Sequence, residues 1–109
     1  RHFIHHNKKI LSYNYKMIAE VARLIIKHNQ AADFQVAFKE AELLLSKNTG
    51  YISHSLKQSL DDDHCFLLQI NWQTVADHQE GFRKSNHYQQ WKQFLHHFYE
   101  PFPTVEYFK

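Results

Sequence analysis

The stretch from Phe66 to Tyr107 constrains the fold more than any other part of this chain. Its first residues alternate between large apolar and smaller or polar side chains, and the large ones are Phe66, Leu68, Ile70 and Trp72. Strict alternation is typical of a β-strand whose two faces meet different surroundings. We therefore predict a strand over His64–Gln73 that ends with Trp72 on its most apolar face.

Two helical segments and a closing strand follow this strand. Thr74 can cap a helix from Val75 to about Lys84, in which His78 and Phe82 share a face that points toward the end of the strand. A second helix is predicted over Asn86–Phe98, and its inward stripe consists of Tyr88, Trp91, Leu95 and Phe98. Gln89, Lys92, Gln93 and His96 lie outside that stripe. Proline cannot continue a helix, so Pro101 ends this one, and a strand is predicted over Thr104–Lys109.

The first half of the chain predicts a matching set of elements. Met17–Lys27 has the β-branched content of a strand, with apolar side chains on both faces. Asn29 can cap the next helix, whose apolar stripe consists of Phe34, Ala37, Phe38, Ala41, Leu44 and Leu45.

The helix is predicted to end near Gly50, and a hairpin follows it. In the strand Tyr51–Leu60, alternation places Ile52, His54, Leu56 and Leu60 on one face. The three aspartates at positions 61–63 form the turn of the hairpin.

The predicted order is strand, helix, strand, strand, helix, strand. This βαββαβ order defines a ferredoxin-like α+β fold, in which an antiparallel sheet carries its helices on one face. The other face of the sheet keeps apolar residues such as Val21, Ile25 and Leu67. A second copy of the chain packed on that open face would cover them, so a homodimer is expected.

Composition limits the classes of function. A formal net charge of +2, evenly spread, does not indicate a nucleic-acid partner, and no apolar run is long enough to span a membrane. A single cysteine, Cys65, lies in an apolar run, which predicts a buried thiol and fits the cytoplasm. Residues 1–16 lack the pattern of the rest and are interpreted as an N-terminal extension or arm, although His2, His5 and His6 can also bind a metal ion.

Residues 17–109 resemble the antibiotic-biosynthesis-monooxygenase-like family. The matching positions are Trp72, His78, Gly81-Phe82-Arg83, Ser85, Tyr88, Trp91, Phe98-Tyr99, Pro101 and Val105-Glu106-Tyr107. The resemblance implies a dimeric α+β barrel with a pocket inside each subunit, between the sheet and the helices. It also implies that Trp72 and His78 take the places of a pocket tryptophan and a polar helical residue.

The first functional hypothesis is a monooxygenase that uses neither a metal nor a bound cofactor and acts on a small phenol or hydroquinone. The predicted catalytic residues are His78, as general base, and Trp72. The residues predicted to bind the substrate are Phe34, Phe38, His54, Phe82 and Trp91. His54 is also a second candidate base, and Glu80 and Glu106 are candidates to orient His78.

Three alternatives remain open. The chain can be a non-enzymatic dimer that binds a small aromatic ligand within the same walls, or the rings and His78 can simply be core residues. Haem degradation is a third alternative. Haem-degrading members use an asparagine on the first strand, and this chain has Ala22 or its neighbours there.

Arg83 can bind an acidic group of a substrate or lie at a surface or dimer edge.

Overall fold

A computed structural model describes residues 17–109, so the predictions for residues 1–16 lie outside the described part of the chain. The strands are β1 (Ile18–Ile25), β2 (Tyr51–Gln58), β3 (Cys65–Trp72) and β4 (Val105–Phe108). The α-helices are α1 (Ala31–Ala41), which continues as a 3-10 helix over Glu42–Lys47, and α2 (Asn86–Leu95), which continues as a 3-10 turn over His96–Phe98. A π-helix over Asp77–Phe82 connects β3 to α2.

The four strands form one antiparallel sheet in the order β2-β3-β1-β4. This order and the βαββαβ sequence of elements confirm the predicted ferredoxin-like α+β fold. Because β1 lies between β3 and β4, its residues Ala19 to Ala22 have a partner on both sides, and Glu20 pairs with Ile70 of β3 and with Tyr107 of β4. The register therefore brings these three side chains onto the same face of the sheet.

The hydrophobic core lies between one face of the sheet and the helices. The inner face of β1 carries Ile18, Ala22 and Leu24, as alternation predicts, and all three are buried. Trp72 is fully buried at the end of β3, also as predicted. Cys65 is a buried free thiol, which confirms that prediction. No helix between residues 17 and 109 is long and apolar enough to cross a lipid bilayer.

Two local predictions in the first half of the chain were wrong. Asn29 does not cap α1: it adopts a positive φ of 59° as a turn residue, and the residue at the cap position is Gln30, whose side chain makes no capping bond. Ile52 does not share a face with His54, because a β-bulge between Tyr51 and Ser53 inserts one extra residue. Tyr51 takes its place on the inner face, opposite Trp72. Leu60 does not belong to that face either, because the strand ends at Gln58 and leaves Leu60 fully exposed.

The segment after β3 begins as predicted and then departs from α-helical geometry. The hydroxyl of Thr74 accepts a hydrogen bond from the Asp77 amide at 3.1 Å, and the Asp77 carboxylate accepts one from the Thr74 amide at 3.0 Å. This reciprocal pair is a capping box, so the prediction that Thr74 caps the segment is confirmed. The Arg83 amide then donates to the carbonyl of His78 at 2.9 Å, a bond of i to i+5 type that defines a π-helix.

Candidate active site

A cavity of about 350 Å³ lies between the inner face of the sheet and the elements that follow β3. Its volume is at the lower end of the range of small-molecule sites, about 300–1,000 Å³. The lining residues that bear on its chemistry come from β1, the π-helix and the residue after it, α2, the segment after α2, and β4. They are Glu20, His78, Phe82, Arg83, Trp91, His96, Tyr99 and Tyr107. The wall of the cavity thus combines aromatic and aliphatic side chains with several polar groups.

His78 lies between a tyrosine and a carboxyl group. Its Nδ1 atom is 2.6 Å from the Tyr107 hydroxyl, a hydrogen-bond distance, and its Nε2 atom is 3.3 Å from Oε2 of Glu20. The other oxygen of Glu20, Oε1, accepts a hydrogen bond of 2.9 Å from the indole N–H of Trp72. Glu20 is 7% exposed and His78 is 3% exposed, so the contact between them is shielded from water. A proton can therefore pass along the series Tyr107, His78, Glu20.

Burial sets the ionisation of this pair. Desolvation raises the pKa of Glu20 to about 7, although the Trp72 hydrogen bond and the charge of Arg83 both oppose the rise. Desolvation and then the nearby Arg83 charge lower the pKa of His78 to about 4. Near neutral pH the imidazole is therefore uncharged, and the carboxyl group of Glu20 can gain or lose a proton. A base works best when its pKa is close to the operating pH, which gives Glu20 that property here.

The other polar residues of the wall are also shifted by burial. Desolvation, followed by the charges of Lys92 and Arg83, lowers the pKa of His96 to about 4. Burial is likewise the main cause of the raised pKa of Tyr107. At neutral pH both side chains are uncharged, so among the described residues of the wall Arg83 and Glu20 are the two that can carry a full charge.

The structure brings some of the predicted site residues together and separates others. His78, Phe82 and Trp91 line the cavity. Trp72 lies behind the wall, with its ring centroid 6.0 Å from that of His78, and reaches the site through its hydrogen bond to Glu20. Phe34 and Phe38 do not line the cavity, because α1 directs them into the core, where Phe34 packs on Phe66 with the ring centroids 5.0 Å apart.

His54 lies at a different place, beside α1 and the 3-10 helix that follows it. Its Nε2 atom is 2.7 Å from Oε1 of Glu42, and its Nδ1 atom is 2.6 Å from the Tyr51 hydroxyl. It borders a separate groove and does not line the cavity that contains His78. The structure thus places the two candidate bases in separate environments.

Sequence reasoning missed Glu20, the carboxyl group beside His78. The two candidates from the sequence lie elsewhere: Glu80 pairs with Lys84 at 2.7 Å, and Glu106 is exposed and pairs with Val21 on the outer face of the sheet. A signal for Glu20 was present, because it lies two residues from both Ile18 and Ala22 and so shares their inward face. His96 was predicted to lie outside the helical stripe, but the 3-10 turn that begins there turns it to the cavity.

Comparisons with known proteins identify the class of protein that this fold and this site define. Residues 17–93 match the family described as antibiotic biosynthesis monooxygenase. The match spans more than half of the chain, and the chain therefore belongs to this family.

Individual relatives agree with this assignment. The uncharacterised protein YczJ of Bacillus subtilis is 47% identical over 93 residues, which cover 85% of this chain and 98% of YczJ. A Bordetella bronchiseptica structure assigned to the antibiotic biosynthesis monooxygenases is 26% identical, with a TM-score of 0.83 over 86% of this chain and 96% of that one. SnoaB, a cofactor-independent oxygenase from Streptomyces nogalater, has the same fold at 16% identity, with a TM-score of 0.69 over 84% and 88% of the two chains.

Proposed function

We propose that this protein is a monooxygenase that oxidises a small, electron-rich hydroxyaromatic substrate to a quinone without a bound cofactor. The observation that carries the proposal is the series Tyr107, His78, Glu20 on the wall of an aromatic cavity. Membership of the monooxygenase family supports the class of reaction. The fold shared with a cofactor-independent oxygenase supports the proposed absence of a cofactor.

The first step is removal of the substrate's phenolic proton. Both ring nitrogens of His78 face protein groups, so the substrate hydroxyl gives its proton to the oxygen of Tyr107. Tyr107 passes its own proton to Nδ1 of His78 as the Nε2 proton moves to Glu20. The lowered pKa of His78 disfavours an imidazolium, and the higher pKa of Glu20 makes its carboxylate the final acceptor. His78 therefore carries the proton between two oxygens, and Glu20 stores it.

The second step uses the electron-rich phenolate. It transfers one electron to dioxygen, and the resulting phenoxyl radical and superoxide combine at a ring carbon that carries hydrogen. The peroxide takes up the proton stored on Glu20 and loses water as the quinone forms. In the balance, the substrate loses two hydrogens and gains one oxygen atom, and the second oxygen atom leaves as water. Apolar walls such as Phe82 and Trp91 keep bulk water away from the intermediates.

The proposal is tested by oxygen uptake with a naphthol that has a free ring position opposite its hydroxyl. We expect isotopically labelled dioxygen to place one labelled atom in the quinone. We also expect His78→Gln to lower kcat/KM by roughly 10²–10⁴, the usual contribution of general acid–base catalysis. His97→Gln makes the same change at an exposed histidine and is expected to keep full activity.

The outcomes of this experiment separate the candidate functions. An unlabelled product would contradict a monooxygenase reaction, and equal rates in the two histidine variants would contradict the role of His78. Tight binding of the naphthol without any oxygen uptake would instead favour the alternative function, a dimer that binds a small aromatic ligand. All of these results can be obtained with the wild-type protein and the same two histidine variants.

We also propose that the protein works as a homodimer in the cytoplasm. The outer face of the sheet carries Leu67 and Phe108, which are 45% and 51% exposed, respectively. Exposed apolar residues on an open sheet face favour a second copy as the partner. A free, buried Cys65 is consistent with a reducing compartment.

A further inference from the structure

The π-helix places an arginine in the wall of the cavity. In an α-helix, residues five apart point in different directions, but the wider turn of a π-helix brings position i+5 closer to the direction of position i. The bond from the Arg83 amide to the His78 carbonyl spans such a turn. Arg83 consequently lines the same cavity as His78 and Phe82. Single π-turns are frequent at functional sites.

Arg83 has no ion-pair partner among residues 17–109. Its neighbour Lys84, by contrast, points away and pairs with Glu80 at 2.7 Å. Within residues 17–109, Glu20 is the one carboxyl group on the cavity wall, and it contacts Trp72 and His78. The guanidinium group therefore brings a positive charge, with no ion-pair partner in this part of the chain, to a site whose histidines are neutral at neutral pH.

The two chargeable groups differ in their exposure to solvent. Arg83 is exposed, whereas Glu20 is 7% exposed, so Arg83 lies toward the open side of the cavity and Glu20 lies in its interior. Aromatic residues such as Phe82 and Trp91, whose ring centroids are 5.6 Å apart, form part of the wall of the same cavity as Arg83 and Glu20. A flat ligand with a polar group at each end matches this arrangement.

We infer that the substrate is an aromatic hydroxy acid, whose carboxylate is bound by Arg83 while its hydroxyl meets Tyr107 and His78. A planar guanidinium group binds a carboxylate through two parallel hydrogen bonds, which fixes the orientation of the ligand as well as its position. The acid group would hold the ring so that the hydroxyl reaches the buried proton acceptor. This inference rests on the proposed function for the hydroxyl end only; the binding of the acid end can be measured without any reaction.

The experiment compares two probes that differ only in the acid group, a hydroxynaphthoate and the corresponding naphthol. Binding is measured by titration calorimetry without oxygen, so that no turnover takes place. We expect the hydroxynaphthoate to bind roughly tenfold more tightly or better, as a charged hydrogen-bonded pair warrants. Arg83→Gln should remove this preference, and Lys84→Gln, the same loss of charge one residue away, should retain it.

A third variant separates the role of charge from that of shape. Arg83→Lys keeps the charge but loses the paired hydrogen bonds, so it should keep only part of the preference. Equal affinities of the wild-type protein for the two probes, or no binding of either, would overturn the inference. So would a preference that persists in Arg83→Gln when circular dichroism shows that the variant is folded.

The failure of this inference is distinguishable from the failure of the proposed function. If the wild-type protein oxidises the naphthol but shows no preference for the acid, the inference is wrong and the monooxygenase proposal stands. If it prefers the acid through Arg83 but oxidises neither probe, the substrate-binding inference stands and the monooxygenase proposal is wrong.

Discussion

At the scale of single residues, the unusual feature of this protein is a carboxyl group buried in an apolar wall. One oxygen of Glu20 accepts a hydrogen bond from a tryptophan N–H, and the other lies near a histidine ring. Among residues 17–109, the only group within ion-pair distance of Glu20 that can become a cation is His78, and it does so only when its ring is protonated. Buried carboxyl groups without a permanent cation favour their neutral form. Such groups are concentrated at sites where protons are transferred.

The raised pKa of Glu20 predicts how stability depends on pH. The carboxyl group has a pKa of 4.5 in the unfolded chain and about 7 in the folded protein. Below pH 4.5 both states hold the proton, but between pH 4.5 and about 7 only the folded state does, so stability falls as the pH rises. Glu20→Gln removes this loss. Relative to wild type, the free energy of unfolding of the variant should increase by up to about 3 kcal/mol over this interval.

Urea unfolding at a series of pH values measures this difference. The lowered pKa of His78 acts in the opposite direction, since it destabilises the folded protein as the pH falls from 6.5 to about 4. The comparison between Glu20→Gln and wild type cancels that effect if His78 titrates alike in both. Glu40→Gln, at an exposed position of α1 away from the proposed interface, serves as the control for the loss of a carboxylate. A difference for Glu20→Gln that does not change with pH would contradict the raised pKa.

Some of the site could be predicted from the sequence at this scale. The inward direction of His78 and the position of Trp91 on an inward stripe followed from helical spacing. Glu20 was missed because only the apolar residues of the first strand were assigned to its two faces, although alternation along β1 places Glu20 inward. Phe34 and Phe38 were predicted to line the cavity, but they lie in the core instead. Helical spacing predicts which face of a helix is buried, and it does not predict which buried residues border an empty space.

At the scale of elements, the position of the π-helix depends on a contact with the turn before β2. Gly50 adopts a positive φ of 85°, and the side chain of Asp77 packs directly on its Cα hydrogen. The same carboxylate accepts hydrogen bonds from the amide and hydroxyl groups of Thr74, both at 3.0 Å. One aspartate thus caps the π-helix and holds it against the start of β2.

This contact predicts that Gly50→Ala is strongly destabilising. A Cβ atom built at Gly50 would lie 2.0 Å from Oδ2 of Asp77, so the capping side chain would have to move. The strained backbone costs about 1–2 kcal/mol and the lost cap about 1 kcal/mol, so we expect a loss of about 2–3 kcal/mol in the free energy of unfolding. Thermal and urea unfolding both measure it.

Gly81→Ala is the matched control, because the nearest atom to a Cβ there is the Ala76 carbonyl oxygen at 3.9 Å. Alanine is the better helix former, and we expect this variant to be as stable as wild type or more stable by up to about 1 kcal/mol. A Gly50→Ala protein as stable as Gly81→Ala would show that the contact with Asp77 does not position the π-helix.

The elements themselves were predictable, but their exact geometry was not. Alternation and helical spacing gave the order of strands and helices, and the Thr74 cap was predicted correctly. The β-bulge at Ile52 and the π-helix each depend on one backbone hydrogen bond that shifts by a residue, and side-chain periodicity does not record such shifts. This shift explains why the sequence left open whether Arg83 binds an acidic group of a substrate or lies at a surface or dimer edge, whereas in the structure it lines the cavity.

At the scale of the whole molecule, the two faces of the sheet have different characters. The inner face is packed against helices, whereas the outer face is a mixture of apolar residues and hydrogen-bonded amides. On that face Gln69 donates to Asn71 at 3.0 Å, and Asn71 donates to Ser53 at 2.9 Å. Because these polar groups already have partners, the outer face can be covered by another protein surface without leaving them unsatisfied.

The proposed dimer predicts the effect of a charge on this face. Leu67→Glu should convert the protein to a monomer, because it would bury a carboxylate at the interface. Val36→Glu makes a comparable change on the exposed side of α1, where Val36 is 69% exposed, and should leave the mass unchanged. Sedimentation equilibrium measures both. A wild-type protein that is monomeric at all concentrations, or a Leu67→Glu protein that remains dimeric, would contradict the proposed interface.

The most direct test of this account is the pH dependence of kcat/KM for oxidation of a hydroxyaromatic substrate, measured for wild type and Glu20→Gln. If Glu20 is the final proton acceptor, the wild-type value should rise with pH and level off above about 7, where the carboxyl group is ionised. The variant should lose this rise and be slower by roughly 10²–10⁴. A variant with the same profile and the same rate as wild type would show that Glu20 does not accept the proton.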